Sequence, residues 1–367
     1  MNVVTRSLTA AASDQTQPRA ARDAARLDAS DRFAREILPS VSRTFALSIR
    51  ILPGTLGRAV LGAYLLCRIA DTLEDEPVLP AEAKASLLEE LCRCFTDADA
   101  ADAFPERLVS LAGDDAHVRL ARHADLVFVL YRSLPGPTQV HVRRWVSEMI
   151  NGMRKFVLLY PTGIRIQSLE EYREYCYYVA GTVGYLLTDL WHEHAPSIGD
   201  RQYHVLREKC RAFAEALQTV NILKDVATDA ERENSIYIPE ELLREHGSSH
   251  ATILAPDRLR ATRAALATMV QLATKDLEAA RSYLMLIPRR AVAIRLFCVL
   301  PLLFAHATLR DLTRNPNAMA HRDVVKISRR EVKSLTLFGF LVILSNRGLA
   351  WLADRAMRRP FLVAGVR

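Results

Sequence analysis

The chain is predicted to be all-α on three observations. Apolar residues recur at helical spacing over almost its whole length. No run of alternating polar and apolar residues marks a strand. Proline and glycine are sparse, 16 and 14 in 367 residues, and where they cluster they separate one helical pattern from the next. Half of the residues are apolar, enough to bury a large core. A single large helical bundle over residues 28–367 is the economical architecture.

Residues 1–27 are rich in Ala, Ser, Thr, Arg and Asp and hold no apolar run. Disorder is expected there and a secretory signal is not; Asp14, Asp23 and Asp28 also argue against a transit peptide. Helical periodicity then runs over 28–50 and stops at Pro53-Gly54. The next segment, 55–74, is apolar from Ala59 to Ala70 with only Arg68 interrupting, too apolar for a surface helix, and Pro77 to Pro80 follow it. Segments 81–95 and 117–133 come before Pro135-Gly136-Pro137, and 138–158 is closed by Pro161-Thr162-Gly163. Segment 168–192 ends ahead of Pro196 to Gly199, and 200–230 ahead of a break near Gly247. Segments 257–286, 289–314 and 329–357 complete the helical set.

A net charge of +7 raises the question of nucleic acid. Lys and Arg are scattered, however, and no basic block interleaves with aromatics, so no nucleic-acid partner is expected. A polyanionic small substrate accounts for the charge as well. The densest basic stretch, Lys326 to Lys333, is either a phosphate-binding segment or a solvated helix start. Leu335 to Leu344 is apolar but far short of the roughly 20 residues that span a bilayer. It reads as a buried helix; with Arg355, Arg358 and Arg359 after it, peripheral membrane contact is the alternative. Six cysteines without zinc-ligand spacing read as free thiols in a reducing compartment, which places the chain in the cytoplasm. The sequence is silent on oligomeric state.

Two acidic clusters interrupt the apolar patterns. Asp71-Thr72-Leu73-Glu74-Asp75 closes one helix and Asp225-Val226-Ala227-Thr228-Asp229 lies near the end of another, about 150 residues on. Carboxylates are rarely buried without a partner. Residues four apart share a helix face, about 6 Å apart along the axis, so each pair of aspartates can reach one ion. Like charges at that spacing destabilise an isolated helix by about 0.2–0.5 kcal/mol, so the pattern needs a cation or a functional reason. Oxygen donors select Mg²⁺, Mn²⁺ or Ca²⁺ over zinc, and Mg²⁺ completes its shell with water and substrate phosphate. A lone pair of this kind is more often a solvated surface; the apolar surroundings argue otherwise here. Gln218, Asn221, Asp225 and Asp229 form one polar stripe on an apolar helix, which must face a site or a partner. Together the clusters suggest two walls of a central cavity.

Four stretches resemble, in the same order, the squalene and phytoene synthase family. They are Val41-Ser42-Arg43-Thr44-Phe45, Tyr64 to Asp75, Tyr175 to Gly184, and Asn221-Ile222-Leu223-Lys224-Asp225, and the resemblance covers roughly residues 30 to 335. It implies the all-α isoprenoid synthase fold and head-to-head condensation of two prenyl diphosphates, farnesyl diphosphate above all. By the same resemblance Asp71, Asp75, Asp225 and Asp229 hold Mg²⁺, with Mn²⁺ as a substitute. Ser42, Arg43, Arg68, Gln218, Asn221, Lys224 and Tyr237 contact phosphate or order the site. Tyr175 matches a tyrosine implicated in proton transfer, although a phenol near its ordinary pKa of about 10 is a poor base. Released diphosphate is then the alternative acceptor. Phe45, Tyr64, Leu65, Cys67, Val179, Ala180, Val183, Gly184 and Leu187 are expected to line a tunnel for the prenyl chains; each could equally be ordinary core, and the small residues could instead let helices approach closely.

The chain departs from the family pattern at Thr228, where relatives commonly carry glutamate, and at Lys224, where they commonly carry arginine. Lysine keeps the charge but loses the bidentate fork that suits phosphate. Product choice is narrower still. Val325 to Arg330 resembles a basic segment that squalene synthases place around NADPH, so Lys326, Arg329 and Arg330 are the expected cofactor residues and squalene the expected product. Phytoene or dehydrosqualene synthase, or an enzyme stopping at presqualene diphosphate, is the alternative within the family. Outside it stands a non-catalytic helical protein that binds prenyl lipid or serves as an assembly scaffold.

Overall fold

A computed structural model describes residues 19–42, 44–315 and 325–362. The chain runs through α1 (Arg19–Val41), α2 (Thr44–Ile51), α3 (Gly54–Glu74), α4 (Ala81–Arg93), α5 (Ala98–Arg107), α6 (Ala116–Ala121), α7 (Ala124–Arg132) and α8 (Gly136–Leu159). It continues with α9 (Leu169–Cys176), a π-helical turn (Tyr177–Gly181), α10 (Thr182–His194), α11 (Asp200–Arg207), α12 (Cys210–Arg232) and α13 (Glu240–Glu245). The last elements are α14 (Leu259–Leu286), α15 (Val292–Arg314), α16 (Arg329–Val342) and α17 (Asn346–Arg358). Among the described residues no strand forms; one parallel bridge joins Arg165 to Ile236.

Several sequence boundaries move, each for a local reason. The first helix starts at Arg19, ahead of residue 28, and Arg26 ties it down through a bidentate pair with Asp102 at 2.9 and 2.7 Å. Segment 28–50 divides at Ser42, whose Oγ accepts from the Phe45 N–H at 3.1 Å and caps a new helix. Segment 329–357 divides at Ser345, which caps α17 through the Gly348 N–H in the same way. Helices α5 and α13 fall where the periodicity showed none; α5 is short, contains Pro105 and starts from the Asp97 cap.

The buried apolar residues form one cluster from Ala34 to Phe361. Helix α3 is buried along most of its length, as its composition required, and α8, α10, α12 and α15 surround the same core. Helix α15 is long and apolar enough to cross a membrane, yet 83% of its most apolar window is buried inside the fold, together with Arg295, His306 and Arg310. It is a core helix.

Two glycines set helix spacing around the site. A Cβ on Gly152 of α8 would lie 2.0 Å from Cγ of Tyr178 on the π turn. Gly152→Ala is therefore expected to cost about 1–3 kcal/mol in chemical denaturation; unchanged stability would mean that the π turn shifts freely. A Cβ on Gly184 of α10 would lie 2.4 Å from the Cys210 carbonyl oxygen on α12.

The segment after α12 is fixed by the loop after α8. Ile236 donates to the Ile164 carbonyl at 2.8 Å and accepts from the Ile166 N–H at 3.2 Å. Asn234 sits at φ 48°, with Arg165 donating to its Oδ1 at 2.6 Å and to its backbone carbonyl. Gly163 lies at φ +115° against that carbonyl, where no Cβ fits. These contacts carry Tyr237 under the end of α12.

Candidate active site

The last two turns of α3 and its cap present Arg68, Asp71, Glu74 and Asp75. Arg68 Nη1 donates to Asp71 Oδ2 at 2.6 Å, and its Nη2 lies 3.1 Å from His117 Nδ1 at the start of α6. The Asp75 N–H donates to the Asp71 carbonyl at 2.9 Å and closes the helix. Glu74 is only 6% exposed, and its Oε1 has no hydrogen-bond partner. Lys84 reaches the Glu74 backbone carbonyl at 2.8 Å, not its carboxylate.

The last two turns of α12 present the opposite wall. Lys224 Nζ lies 2.9 Å from Asp225 Oδ2. Asp229 follows one turn later, and Glu233 caps the helix through its N–H to the Asp229 carbonyl at 3.1 Å. Burial pushes the Asp229 carboxyl up to about 8, with Glu233, Asp225 and Asp75 repelling its charge. Burial likewise pushes Asp75 and Glu74 well above the usual carboxylate range, with Glu233 and Asp71 repelling Asp75 and with Asp75 and Asp71 repelling Glu74. Glu233 and Asp71 are raised by burial too; Asp225 and Asp71 add to the effect at Glu233, while Arg68 opposes it at Asp71. Glu74 and Asp75 at the end of α3 line one pocket together with Glu233 at the end of α12, so the two clusters face each other.

Five carboxylates that resist ionisation form a site short of positive charge. Among the described residues no three His, Cys, Asp or Glu side chains converge tightly enough to hold a metal by themselves. Mg²⁺ takes one or two carboxylates and finishes its octahedron with water and phosphate oxygens. The orphaned Glu74 oxygen and the all-oxygen donor set would suit such an ion. A carboxylate pKa raised on folding weakens the fold as pH rises from the unfolded value through the folded one. The melting temperature of the metal-free protein is therefore expected to fall between about pH 6 and about pH 8.5, and Mg²⁺ with inorganic diphosphate to restore more at the higher pH. A melting temperature that climbs over this range would contradict the repulsion between the walls.

An apolar cavity continues from the α3 wall into the core. Arg68, Asp71, Gln218 and Asn221 form its polar end, and Phe45, Tyr64, Cys67, Val179, Ala180, Val183 and Leu187 line it as expected. Met149, Leu190, Phe213 and Phe297 also line it, and sequence reasoning did not single them out. Val179 and Ala180 line it from the π turn and Val183 from the first turn of α10.

Other expected positions change. Leu65 and Gly184 do not line the cavity; Leu65 is fully buried in the core and Gly184 packs against α12. Ser42 caps α2 beside Tyr64, whose hydroxyl donates to the Val41 carbonyl at 3.4 Å. Arg43 lies outside the described residues. Tyr175 and Tyr237 stack on each other at 4.9 Å beneath the acidic walls, with Phe156 edge-on to Tyr175 at 5.1 Å, and Tyr175 lines neither cavity. Burial, with Glu74 beside it, holds the Tyr175 phenol well above its ordinary pKa, so it stays protonated. Lys326, Arg329 and Arg330 are exposed at the start of α16, which packs on α15 and α17, and they line neither the cavity nor the acidic pocket. The structure does not bring them to the site. Glu233 was missed, although its spacing of four from Asp229 and eight from Asp225 repeats the pattern of the cluster.

The carboxylates at the ends of α3 and α12 and the apolar cavity beside them are carried on an all-α fold. The chain belongs to the squalene/phytoene synthase family, whose sequence profile matches residues 38–331. Squalene synthase of Schizosaccharomyces pombe is 27% identical over 304 residues, 82% of this chain and 63% of that protein. Presqualene diphosphate synthase of Botryococcus braunii is 26% identical over 293 residues, 79% of this chain and 68% of that protein. The chain thus spans under two thirds of the length of the squalene synthase it matches. The solved structure of TcSQS with the ligand BPH1237 superposes with a TM-score of 0.73 at 23% identity, covering 90% of this chain and 98% of that one, and shares its fold.

Proposed function

We propose that the protein is a prenyltransferase that condenses two molecules of farnesyl diphosphate head to head. The observation that carries this reading is an apolar cavity whose polar end is Arg68, Asp71, Gln218 and Asn221, with the carboxylates Glu74, Asp75 and Glu233 gathered in a second pocket at the same helix ends. Asp71, Asp75, Asp225 and Asp229 would hold Mg²⁺, with Glu74 and Glu233 beside them. The metal supplies Lewis-acid neutralisation of the departing diphosphate. Arg68 and Lys224 add positive charge at the same place, while Gln218 and Asn221 offer hydrogen bonds to phosphate oxygens.

Loss of diphosphate from one substrate breaks its C1–O bond and leaves an allylic cation. The C2–C3 double bond of the second substrate attacks it, and loss of a proton closes a cyclopropane, giving presqualene diphosphate. Phe45, Tyr64, Val183 and Phe297 would exclude water from the cation. Burial raises the Tyr175 phenol further above its ordinary pKa and makes it a still poorer base, which favours released diphosphate as the proton acceptor.

Similarity to squalene synthases supports NADPH-dependent completion to squalene. One observation favours the alternative end point, presqualene diphosphate: the basic residues expected to hold NADPH stand outside the cavity. Purified protein with farnesyl diphosphate and Mg²⁺, assayed with and without NADPH and extracted for products, separates these outcomes. Squalene only with NADPH supports full synthesis; presqualene diphosphate in both supports the shorter reaction. No diphosphate release in either would overturn the enzyme reading.

A further inference from the structure

Arg68 supplies the positive charge at the polar end of the cavity, and its guanidinium is anchored twice. Nη1 donates to Asp71 at 2.6 Å, and Nη2 lies 3.1 Å from Nδ1 of His117, 49 residues away in sequence. Arginine carries donors only, so the hydrogen between Nη2 and Nδ1 belongs to Arg68 and the imidazole nitrogen accepts it. His117 is therefore neutral in this contact, with its own proton on Nε2. Burial and the Arg68 charge both lower the His117 pKa, in keeping with that form.

The backbone under His117 is fixed. Asp115 caps α6 by accepting the His117 and Val118 N–H groups at 2.7 and 3.1 Å. Val118, Leu120 and Ala121 are buried, and α6 packs on α3.

The two anchors of Arg68 differ in chemistry. Asp71 opposes the Arg68 charge, and as one of the aspartates that would hold Mg²⁺ it shares its oxygens with the ion. A neutral imidazole holds the guanidinium without cancelling its charge. Arg68 Nε is buried and has no partner among the described residues, so three of the five N–H groups stay uncommitted and available to phosphate oxygens.

We propose that His117 is a positioning residue for the condensation, holding the Arg68 guanidinium in place against the departing diphosphate when Asp71 is shared with metal. The role rests on the prenyltransferase reading above, and His117 acts only through Arg68. Small displacements of a group that meets the transition state cost rate steeply.

The test has a kinetic arm and an arm that needs no turnover. His117→Leu keeps an apolar body but accepts no hydrogen bond. It should lower kcat for diphosphate release from farnesyl diphosphate about tenfold and change KM much less, because Arg68 acts on the leaving group. His117→Asn offers a neutral oxygen where Nδ1 stands and should recover most of that loss, which a merely structural histidine would not produce. Arg68→Ala combined with His117→Leu should match Arg68→Ala alone. Wild-type kcat in His117→Leu, no recovery in His117→Asn, or additive losses in the double variant would overturn the proposal. In the second arm, ¹⁵N NMR of the histidine-labelled full chain at about pH 7.5, with His117 assigned by its loss in His117→Asn, should show a neutral ring protonated on Nε2. An imidazolium or a ring protonated on Nδ1 would overturn the proposal whatever the turnover. Absent turnover in the wild type would overturn the prenyltransferase reading and this role with it, while the expected tautomer would leave the contact standing.

Discussion

Asp225→Asn is expected to cut diphosphate release from farnesyl diphosphate by about a hundredfold or more, while leaving the apo protein as stable as the wild type or slightly more so. The two effects have one cause. Asp225 repels Asp229 and Glu233 across one turn of α12 and beyond, so a neutral amide relieves that repulsion and gives up only a partly solvent-exposed pair with Lys224. The same amide withdraws one of the few charged oxygens available to a divalent cation when substrate is bound. Asp71→Asn should be equally damaging to turnover. It also leaves Arg68 without its 2.6 Å partner, but that pair is partly open to solvent and contributes at most about 1 kcal/mol. Steady-state diphosphate release and chemical denaturation of both variants check this. Wild-type turnover in either would remove that position from the catalytic wall.

Arg310→Ala is expected to destabilise the fold by about 3–5 kcal/mol in chemical denaturation. Arg310 and Glu331 are 1% and 2% exposed and meet bidentately at 2.7 and 3.0 Å. Arg310 also donates to the Ala356 carbonyl at 2.8 Å, and Glu331 accepts the Phe361 N–H at 2.7 Å. One buried pair thus latches α15, α16, α17 and the segment after them. Removing the guanidinium leaves a buried carboxylate with little compensation, whereas replacing both partners by apolar residues of similar size should cost much less. A loss below about 1 kcal/mol in the single variant would show that water reaches the latch.

Much of the site could be read locally, because its signal lies within single helices. Asp71 and Asp75 stand out against the apolar run of α3, and the stripe from Gln218 to Asp229 is visible from spacing alone. What the sequence left unread depends on contacts between distant segments. Tyr237 reaches Tyr175 only because Ile236 pairs with the loop at Ile164 and Ile166. Lys326, Arg329 and Arg330 had the composition of a phosphate site, but composition does not say that α16 packs on α15 and α17, away from the cavity. Glu233 was the opposite case: its spacing was in view, one turn past the expected helix end.

The most direct measurement is calorimetric titration of inorganic diphosphate into wild-type protein and Asp225→Asn, with and without Mg²⁺. Facing walls that share cations with a polyanion predict binding to the wild type only when Mg²⁺ is present, and at least about tenfold weaker binding to the variant. Equal diphosphate affinity with and without Mg²⁺, unchanged by Asp225→Asn, would contradict a metal-bridged site between α3 and α12.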